Sequence, residues 1–325
     1  MMRLRGVMSR QSGVAIIAAL MVAALVASVA GLLMLRQQRA LQQLEIRKDT
    51  AEARAATWSV LQLVRLTLRD DARLGQPDHQ RKPWAVPIPE IKIENGGLSG
   101  RLTELNGRFN LNNLRTSNGE FDPAALAAYR ALLANLGLPA NLADSLQTAW
   151  QERRRPRAAG AANPSNPSSA SQPASAPASA AGAGELVPWL ELNDLQSVPG
   201  YSEAIVRQLA PYVVTLPGNS ALNVNFASAE VLAAWLPKLG VSGAEQVLAK
   251  RRSQYFNSVD EFVAALPVNQ QADVPRERLA VKSDYFWADL GARFGVVFLQ
   301  HRALLDRSQN EMPTVHWLRR EYGPL

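Results

Sequence analysis

The chain has 325 residues, with 35 lysines and arginines against 28 aspartates and glutamates, and it has no cysteine. At about 150 residues per domain, this length predicts roughly two domains. The absence of cysteine excludes disulfides, thiolate metal sites and cysteine nucleophiles. Its histidines, His79, His301 and His316, lie far apart in the sequence. The composition therefore argues against an enzyme.

The amino-terminal segment predicts a membrane anchor. Residues 1–13 contain Arg3, Arg5 and Arg10 but no acidic residue, and residues 14–35 contain neither a charge nor a proline. As a helix, residues 14–35 extend roughly 33 Å, which matches the hydrocarbon core of a bilayer. Because arginines stay on the cytoplasmic side, we expect a cytoplasmic amino terminus with the rest of the chain outside. A secretory signal peptide, the competing interpretation, has a shorter apolar core.

The next segment is predicted to continue the same helix as an amphipathic stalk over residues 36–75. Apolar residues recur at steps of three or four, as at Leu61, Val64 and Leu68. Neither proline nor glycine interrupts residues 32–74. We therefore expect the anchor and the stalk to form one uninterrupted helix.

A basic leader ending in Gly13, an apolar helix and an amphipathic stalk together resemble the amino-terminal region of type IV pilins and pseudopilins. The resemblance implies that the prepilin peptidase cleaves between Gly13 and Val14 and methylates the new amino terminus at Val14. On the leader alone, an ordinary single-pass anchor with a glycine near its start remains the alternative.

The fifth residue of the mature chain would be Ala18, where this family nearly always has glutamate. In a filament of packed apolar helices, that glutamate neutralises the buried ammonium of a neighbouring subunit, and an unpaired buried charge is costly. A subunit with alanine at this position cannot neutralise a subunit above it, which suits the tip of a filament. Among pseudopilins, the component that lacks this glutamate is minor pseudopilin K of type II secretion.

Beyond the stalk, four prolines in residues 76–97 predict a connector rather than a helix. Residues 98–114 predict a strand, a tight turn at Asn106-Gly107 and a further extended piece. The string GRFNLNNL at residues 107–114 is similar to a signature of minor pseudopilin K sequences. We expect its asparagines to bind backbone groups by hydrogen bonds rather than to act in catalysis.

A helical region follows. Asp122 followed by Pro123 predicts the start of a helix, and a second helix is expected over about residues 140–152. Residues 153–184 consist mainly of alanine, serine, proline and glycine. This low-complexity segment is predicted to be a disordered linker.

Residues 185–276 predict two helix-hairpin-helix-like units, with one cap at Ser228 or Asn225 and another at Ser258. The second unit resembles the DNA-binding repeat of competence receptors. However, residues 185–276 carry nine acidic and six basic residues, and Ser242 stands where that repeat has a second glycine. Because phosphate binding requires positive charge, we consider nucleic acid an unlikely partner.

The last segment, residues 279–325, predicts three antiparallel strands that pack on the stalk helix. The predicted fold is therefore α+β: a long transmembrane and stalk helix on a small antiparallel sheet, with a large all-helical domain inserted. Residues 76–114 and 279–325 would form the β-body, and residues 115–278 the insertion.

The resemblance implies a role and a set of partners. The role is a minor pseudopilin at the tip of the type II secretion pseudopilus, needed for its initiation or assembly and for secretion across the outer membrane. The partners are minor pseudopilins I, J and H, the major pseudopilin, the prepilin peptidase and the inner-membrane assembly platform. The implied location is the inner membrane, with the main body in the periplasm. The alternative is a membrane-anchored DNA-binding protein of the competence type.

Calcium is associated with this family, whose members have an acidic run after the second helix. Here only Asp144 and Glu152 are acidic in the corresponding segment, and arginines follow at once. Asn118, Glu120 and Asp122 are a remote second possibility, more simply explained as a turn and a helix cap. Because calcium takes six to eight oxygen ligands, we expect no cofactor.

Overall fold

The computed structural model describes residues 11–116, 118, 120–152, 188–309 and 311–321. The helices are α1 (Gln11–Arg73), α2 (Pro123–Asn135), α3 (Asn141–Glu152), α4 (Glu203–Leu209), α5 (Ala229–Trp235), α6 (Gly240–Ser253) and α7 (Val259–Ala264). The strands are β1 (Ile88–Ile93), β2 (Gly96–Glu104), β3 (Phe109–Asn110), β4 (Val213–Val214), β5 (Leu222–Asn223), β6 (Leu279–Ala280), β7 (Tyr285–Phe294), β8 (Val297–Asp306) and β9 (Thr314–Glu321). Short 3-10 helices cover Pro83–Ala85, Leu111–Leu114, Leu192–Ser197, Val268–Asp273 and Arg276–Arg278.

Helix α1 is one uninterrupted helix of 63 residues, as predicted for the anchor and stalk. It begins at Gln11, so the end of the predicted leader is already helical, while residues 1–10 lie outside the described chain. The helix ends just before Gly75, which has a φ of 68°. This left-handed conformation favours glycine and commonly terminates helices.

The main sheet has five antiparallel strands in the order β1-β2-β7-β8-β9. The three terminal strands of the sequence prediction are confirmed as β7, β8 and β9. The prediction of a connector over residues 76–97 was wrong for the last part of this segment, because strand β1 lies there and contains Pro89. The sheet tolerates this proline because β1 is an edge strand whose register shifts between Ile88 and Ile91.

The predicted strand, tight turn at Asn106-Gly107 and extended piece are present as β2, the turn and β3, and the turn does not close a hairpin. Strand β2 pairs with β1 and β7, whereas β3 pairs in parallel with β4. The side-chain oxygen of Asn106 accepts hydrogen bonds from the backbone N–H groups of Asp284 (3.1 Å) and Tyr285 (2.9 Å). These long-range bonds fix the turn at the end of the sheet and direct the chain into the helical domain.

The inserted domain is mainly helical, as predicted, and two short parallel strand pairs accompany its helices. The parallel pairs β3–β4 and β5–β6 lie where this domain joins the body. Phe109, Leu111 and Leu114 belong to its core together with Tyr129 and Trp150, so its packing begins before residue 115. The predicted linker, residues 153–184, lies outside the described residues.

The helix caps of the inserted domain agree with the prediction. The carboxylate of Asp122 accepts from the N–H groups at the start of α2, and the hydroxyls of Ser228 and Ser258 cap α5 and α7. Each cap satisfies backbone N–H groups that have no partner within the helix.

The carboxyl-terminal half of α1 packs on one face of the main sheet. Leu61 and Leu68 are fully buried against Phe286, Leu290 and Leu305. The opposite face of α1 remains exposed, since Leu63 keeps 62% of its surface accessible. The hydrophobic stripe of the stalk therefore holds the helix to the β-body, and the fold is α+β as predicted.

Replacing Leu61 by alanine is expected to lower the free energy of unfolding by about 2–4 kcal/mol, because it removes a fully buried side chain. Urea denaturation of the full chain in detergent micelles, followed by tryptophan fluorescence, measures this change. Leu63→Ala on the same helix is the matched control and should change stability by less than about 0.5 kcal/mol. Equal losses in the two variants would contradict the observed packing.

Candidate functional site

The amino-terminal half of α1 is the first candidate site. The large apolar side chains described between Val14 and Leu35 are exposed, Val14 at 69%. By length and composition, α1 is the helix in the described chain that is apolar enough to cross a membrane. An exposed apolar surface of this extent requires a bilayer or other subunits to cover it.

The three residues singled out from the sequence lie in the first turns of this helix. Gly13, Val14 and Ala18 all fall within α1, and the side chains of Val14 and Ala18 are exposed. The first acidic residue after Val14 is Glu45. The apolar segment therefore presents no carboxylate of its own. Cleavage at Gly13 and methylation at Val14 stay predictions.

A second cluster, which sequence reasoning missed, lies at the opposite end of α1. We call Asp71, Asp78, Lys82 and Arg307 the stalk network. Asp71, in the last turn of α1, accepts from Lys82 Nζ at 2.7 Å and from Arg307 Nη1 at 3.2 Å. Arg307 Nη2 also donates to Asp78 Oδ2 at 2.5 Å. Because all four side chains are largely buried, these contacts tie α1 to the connector and to the end of β8.

The stalk network continues into the inserted domain through Ser283. The Ser283 N–H donates to Asp78 Oδ2 at 2.8 Å, and its hydroxyl donates to Glu104 Oε1 at 2.5 Å. Asn223 Nδ2 donates to the same hydroxyl at 2.7 Å. Burial raises the pKa of Glu104 to about 7, an effect that its hydrogen bonds from Ser283 and Gly107 oppose.

The asparagines of GRFNLNNL hold backbone carbonyl groups, as predicted. Asn112 Nδ2 donates to Trp189 O at 2.9 Å and to Leu216 O at 2.7 Å. Asn110 Nδ2 donates to Gly218 O at 2.7 Å. The segment 188–218 is therefore attached to β3 and the turn after it, which gives the signature a structural role.

The acidic residues considered for calcium do not form a suitable donor set. Asp144 pairs with Arg130 at 2.6 Å, and Asp122 caps α2 and pairs with Arg278 at 2.5 Å. In the part of the chain that the structure describes, no three His, Cys, Asp or Glu side chains are grouped to hold a metal ion. The acidic side chains in the described residues therefore do not fit a calcium site, which requires several oxygen ligands.

Two family models described as type II secretion system protein K match residues 107–218 and 222–282. A type II secretion system protein K of Pseudomonas aeruginosa is 33% identical, over 79% of this chain and 77% of its own length. The chain therefore belongs to the type II secretion system protein K family. A protein K of Pectobacterium carotovorum subsp. carotovorum is 26% identical over 97% of both chains.

The fold agrees with this assignment. The chain resembles a chain in the crystal structure of the GspK-GspI-GspJ complex from the enterotoxigenic Escherichia coli type 2 secretion system. The TM-score is 0.61 at 20% identity, covering 88% of this chain and 100% of the other. At that identity the likeness concerns the fold, and it confirms the α+β class.

The family makes this chain a minor pseudopilin of type II secretion, as the resemblance implied. These matches give no support to the alternative of a DNA-binding protein of the competence type. The apolar half of α1, together with the family, indicates a membrane-anchored protein.

Glu104→Gln tests the buried junction through its pH dependence. The pKa of Glu104 in the folded protein, about 7, lies above its ordinary value of 4.5. The folded state therefore binds the carboxyl proton of Glu104 more tightly than the unfolded state does. The wild-type protein therefore loses stability as the pH rises between these values. Glutamine does not ionise, so the variant should gain on the order of 1–3 kcal/mol relative to wild type between pH 4.5 and 8.

Urea unfolding at pH 4.5, 6 and 8 in detergent micelles measures this difference. Glu245→Gln on α6 is the control, because Glu245 is exposed, and it should leave the pH profile unchanged. A difference in the free energy of unfolding between Glu104→Gln and wild type that stays constant across this pH range would show that ionisation of Glu104 does not contribute to the pH dependence of stability.

Proposed function

We propose that this minor pseudopilin is the tip subunit of the type II secretion pseudopilus and serves its initiation or assembly. In this proposal its role is structural, and its own chemistry is confined to being a substrate of the prepilin peptidase. The observation that carries the proposal is the exposed, charge-free apolar segment of α1 with Ala18 at the fifth mature position.

The electrostatic reason concerns the mature amino terminus of a neighbouring subunit. That ammonium enters an apolar environment, where an unpaired charge is unfavourable. Because the first acidic residue after Val14 is Glu45, about 47 Å along α1, this chain has no carboxylate to offer at the level of Ala18. A further subunit therefore cannot be added above this one. The amino-terminal ammonium group of this chain can still be neutralised by a subunit beneath it.

The inserted domain supports the same placement. It sits with the β-body near the end of α1, which runs roughly 55 Å beyond the apolar segment. A domain of this bulk at the outer end of the stalk favours a terminal position, where it adds no steric conflict with a subunit above.

We infer the partners from the family. The complex of the similar structure contains GspK, GspI and GspJ, so minor pseudopilins I and J are the proposed direct partners here. Minor pseudopilin H, the major pseudopilin, the prepilin peptidase and the assembly platform complete the proposed set. The proposed topology is single-pass in the inner membrane, with residues before Val14 in the cytoplasm and the body in the periplasm. We assign no calcium ion to this function, since the described donor set does not fit one.

Gly13→Leu tests processing. In wild type, mass spectrometry should find a shortened chain that begins with methylated Val14. The variant should stay full-length and secretion should fall, because the bulky side chain obstructs the peptidase. Gly6→Leu in the same leader is the matched control and should leave processing intact. A shortened Gly13→Leu chain with normal secretion would refute the assignment.

Ala18→Glu tests the tip placement. The new carboxylate supplies the counter-charge that a further subunit requires, so the variant should appear at internal positions of the fibre with more copies per pseudopilus. Immunogold labelling of isolated fibres measures both. Ala18→Gln has a similar volume without charge and should stay terminal. Identical labelling of Ala18→Glu and wild type would show that the missing charge does not determine the position.

A further inference from the structure

A positively charged pocket lies between the connector that follows α1 and the end of α6. We call it the arginine pocket, and the side chains that line it include His79, Arg81, Asn225, Arg251, Arg252 and Tyr255. Three separate parts of the chain contribute to it, the connector on the side of the body and two segments, at Asn225 and at the end of α6, on the side of the inserted domain. It is distinct from the apolar half of α1 and from the stalk network.

Backbone carbonyl groups fix two of the three guanidinium groups. Arg251 Nη1 donates to Val224 O at 2.8 Å and to Ala227 O at 2.7 Å, which leaves the Nε and Nη2 N–H groups of this residue for other acceptors. Arg81 Nη2 donates to the carbonyl groups of Arg252 and Ser253 at the end of α6. Both side chains are therefore held in place before any ligand arrives.

No carboxylate of the described chain forms an ion pair with Arg81, Arg251 or Arg252. Burial, together with the nearby charge of Arg252, lowers the pKa of Arg251 to about 10, so Arg251 remains charged at neutral pH. Like charges brought together repel each other. The charge of Glu104 opposes the lowering of the Arg251 pKa, but no aspartate or glutamate is among the described residues that line the pocket around these three cations.

One wall of the pocket is aromatic. His79 stacks on Tyr255 with ring centroids 3.8 Å apart and planes inclined by 14°. Burial, with the charges of Lys82 and Arg81, lowers the pKa of His79, so this ring is neutral at neutral pH. The wall therefore gives shape to the pocket, while the arginines give it charge.

We propose that the arginine pocket binds the carboxylates of an acidic segment of another protein. Guanidinium groups with free N–H pairs bind carboxylates in a bidentate manner. A lipid headgroup is too far from the pocket to bind there, because the pocket lies beyond the end of α1, roughly 55 Å past the apolar segment. Nucleic acid fits less well because residues 185–276 carry more acidic than basic residues.

Arg252→Glu is the decisive variant, because Arg252 is exposed on α6 and its side chain holds no backbone group in place. The probe is a fluorescein-labelled hexaglutamate peptide, titrated with the full chain in detergent micelles and followed by fluorescence anisotropy. Wild type should show saturable binding at 50 mM salt, and Arg252→Glu should weaken it at least tenfold. Arg81→Ala should weaken it as well, and circular dichroism checks that both variants are folded.

Arg207→Glu is the matched control, since it makes the same charge change at an exposed position in α4 of the same domain. It should alter the affinity less than twofold. Equal weakening by Arg207→Glu and Arg252→Glu would overturn the proposal, because binding would then follow net charge alone. Absence of peptide binding at 50 mM salt would overturn it too. Tighter, Arg252-dependent binding of a DNA duplex would assign the pocket to nucleic acid instead.

Discussion

The stalk network is the constraint on which the arrangement of the molecule depends. Arg307 joins Asp71 in α1 to Asp78 in the connector, and Lys82 forms a second ion pair with Asp71. Buried charges are tolerated only when they are paired, and loss of one partner leaves the others uncompensated. The network therefore fixes both the rotation and the height of α1 relative to the body, and the leucines packed on the sheet add the apolar part of the attachment.

Local patterns predicted the elements whose stabilising contacts are local. The continuity of α1 follows from the absence of glycine and proline over residues 32–74, and the cap at Asp122 follows from the next residue being proline. The turn at Asn106-Gly107 was predicted, but its partners Asp284 and Tyr285 were not, because they lie far away in the sequence. Strand β1 was missed because Pro89 is acceptable only at the edge of a sheet, a position that the sequence does not reveal.

The difference between local and long-range contacts also separates the parts of the candidate site that the sequence predicts from those that it does not. The position of Ala18 could be read directly, because the apolar half of α1 is an isolated helix in which sequence order is also spatial order. The stalk network and the arginine pocket combine residues that only the tertiary fold brings together, such as Arg81 with Arg252. An average charge over residues 185–276 concealed that pocket, because none of the acidic residues in that range is among the residues that line it.

An uninterrupted α1 also has a mechanical consequence. The amino-terminal half of the helix has an apolar surface that a bilayer or other subunits must cover. Its carboxyl-terminal end is held by the ion pairs of the stalk network. A kink would require proline, glycine or an inserted side chain, and residues 32–74 contain neither proline nor glycine. The part of α1 between the apolar segment and Asp71 therefore contains no residue type that favours a kink. At Asp71 the buried pairing with Arg307 and Lys82 joins the stalk to the β-body and, through Ser283 and Asn223, to the inserted domain, so contacts connect the helix to both parts of the molecule.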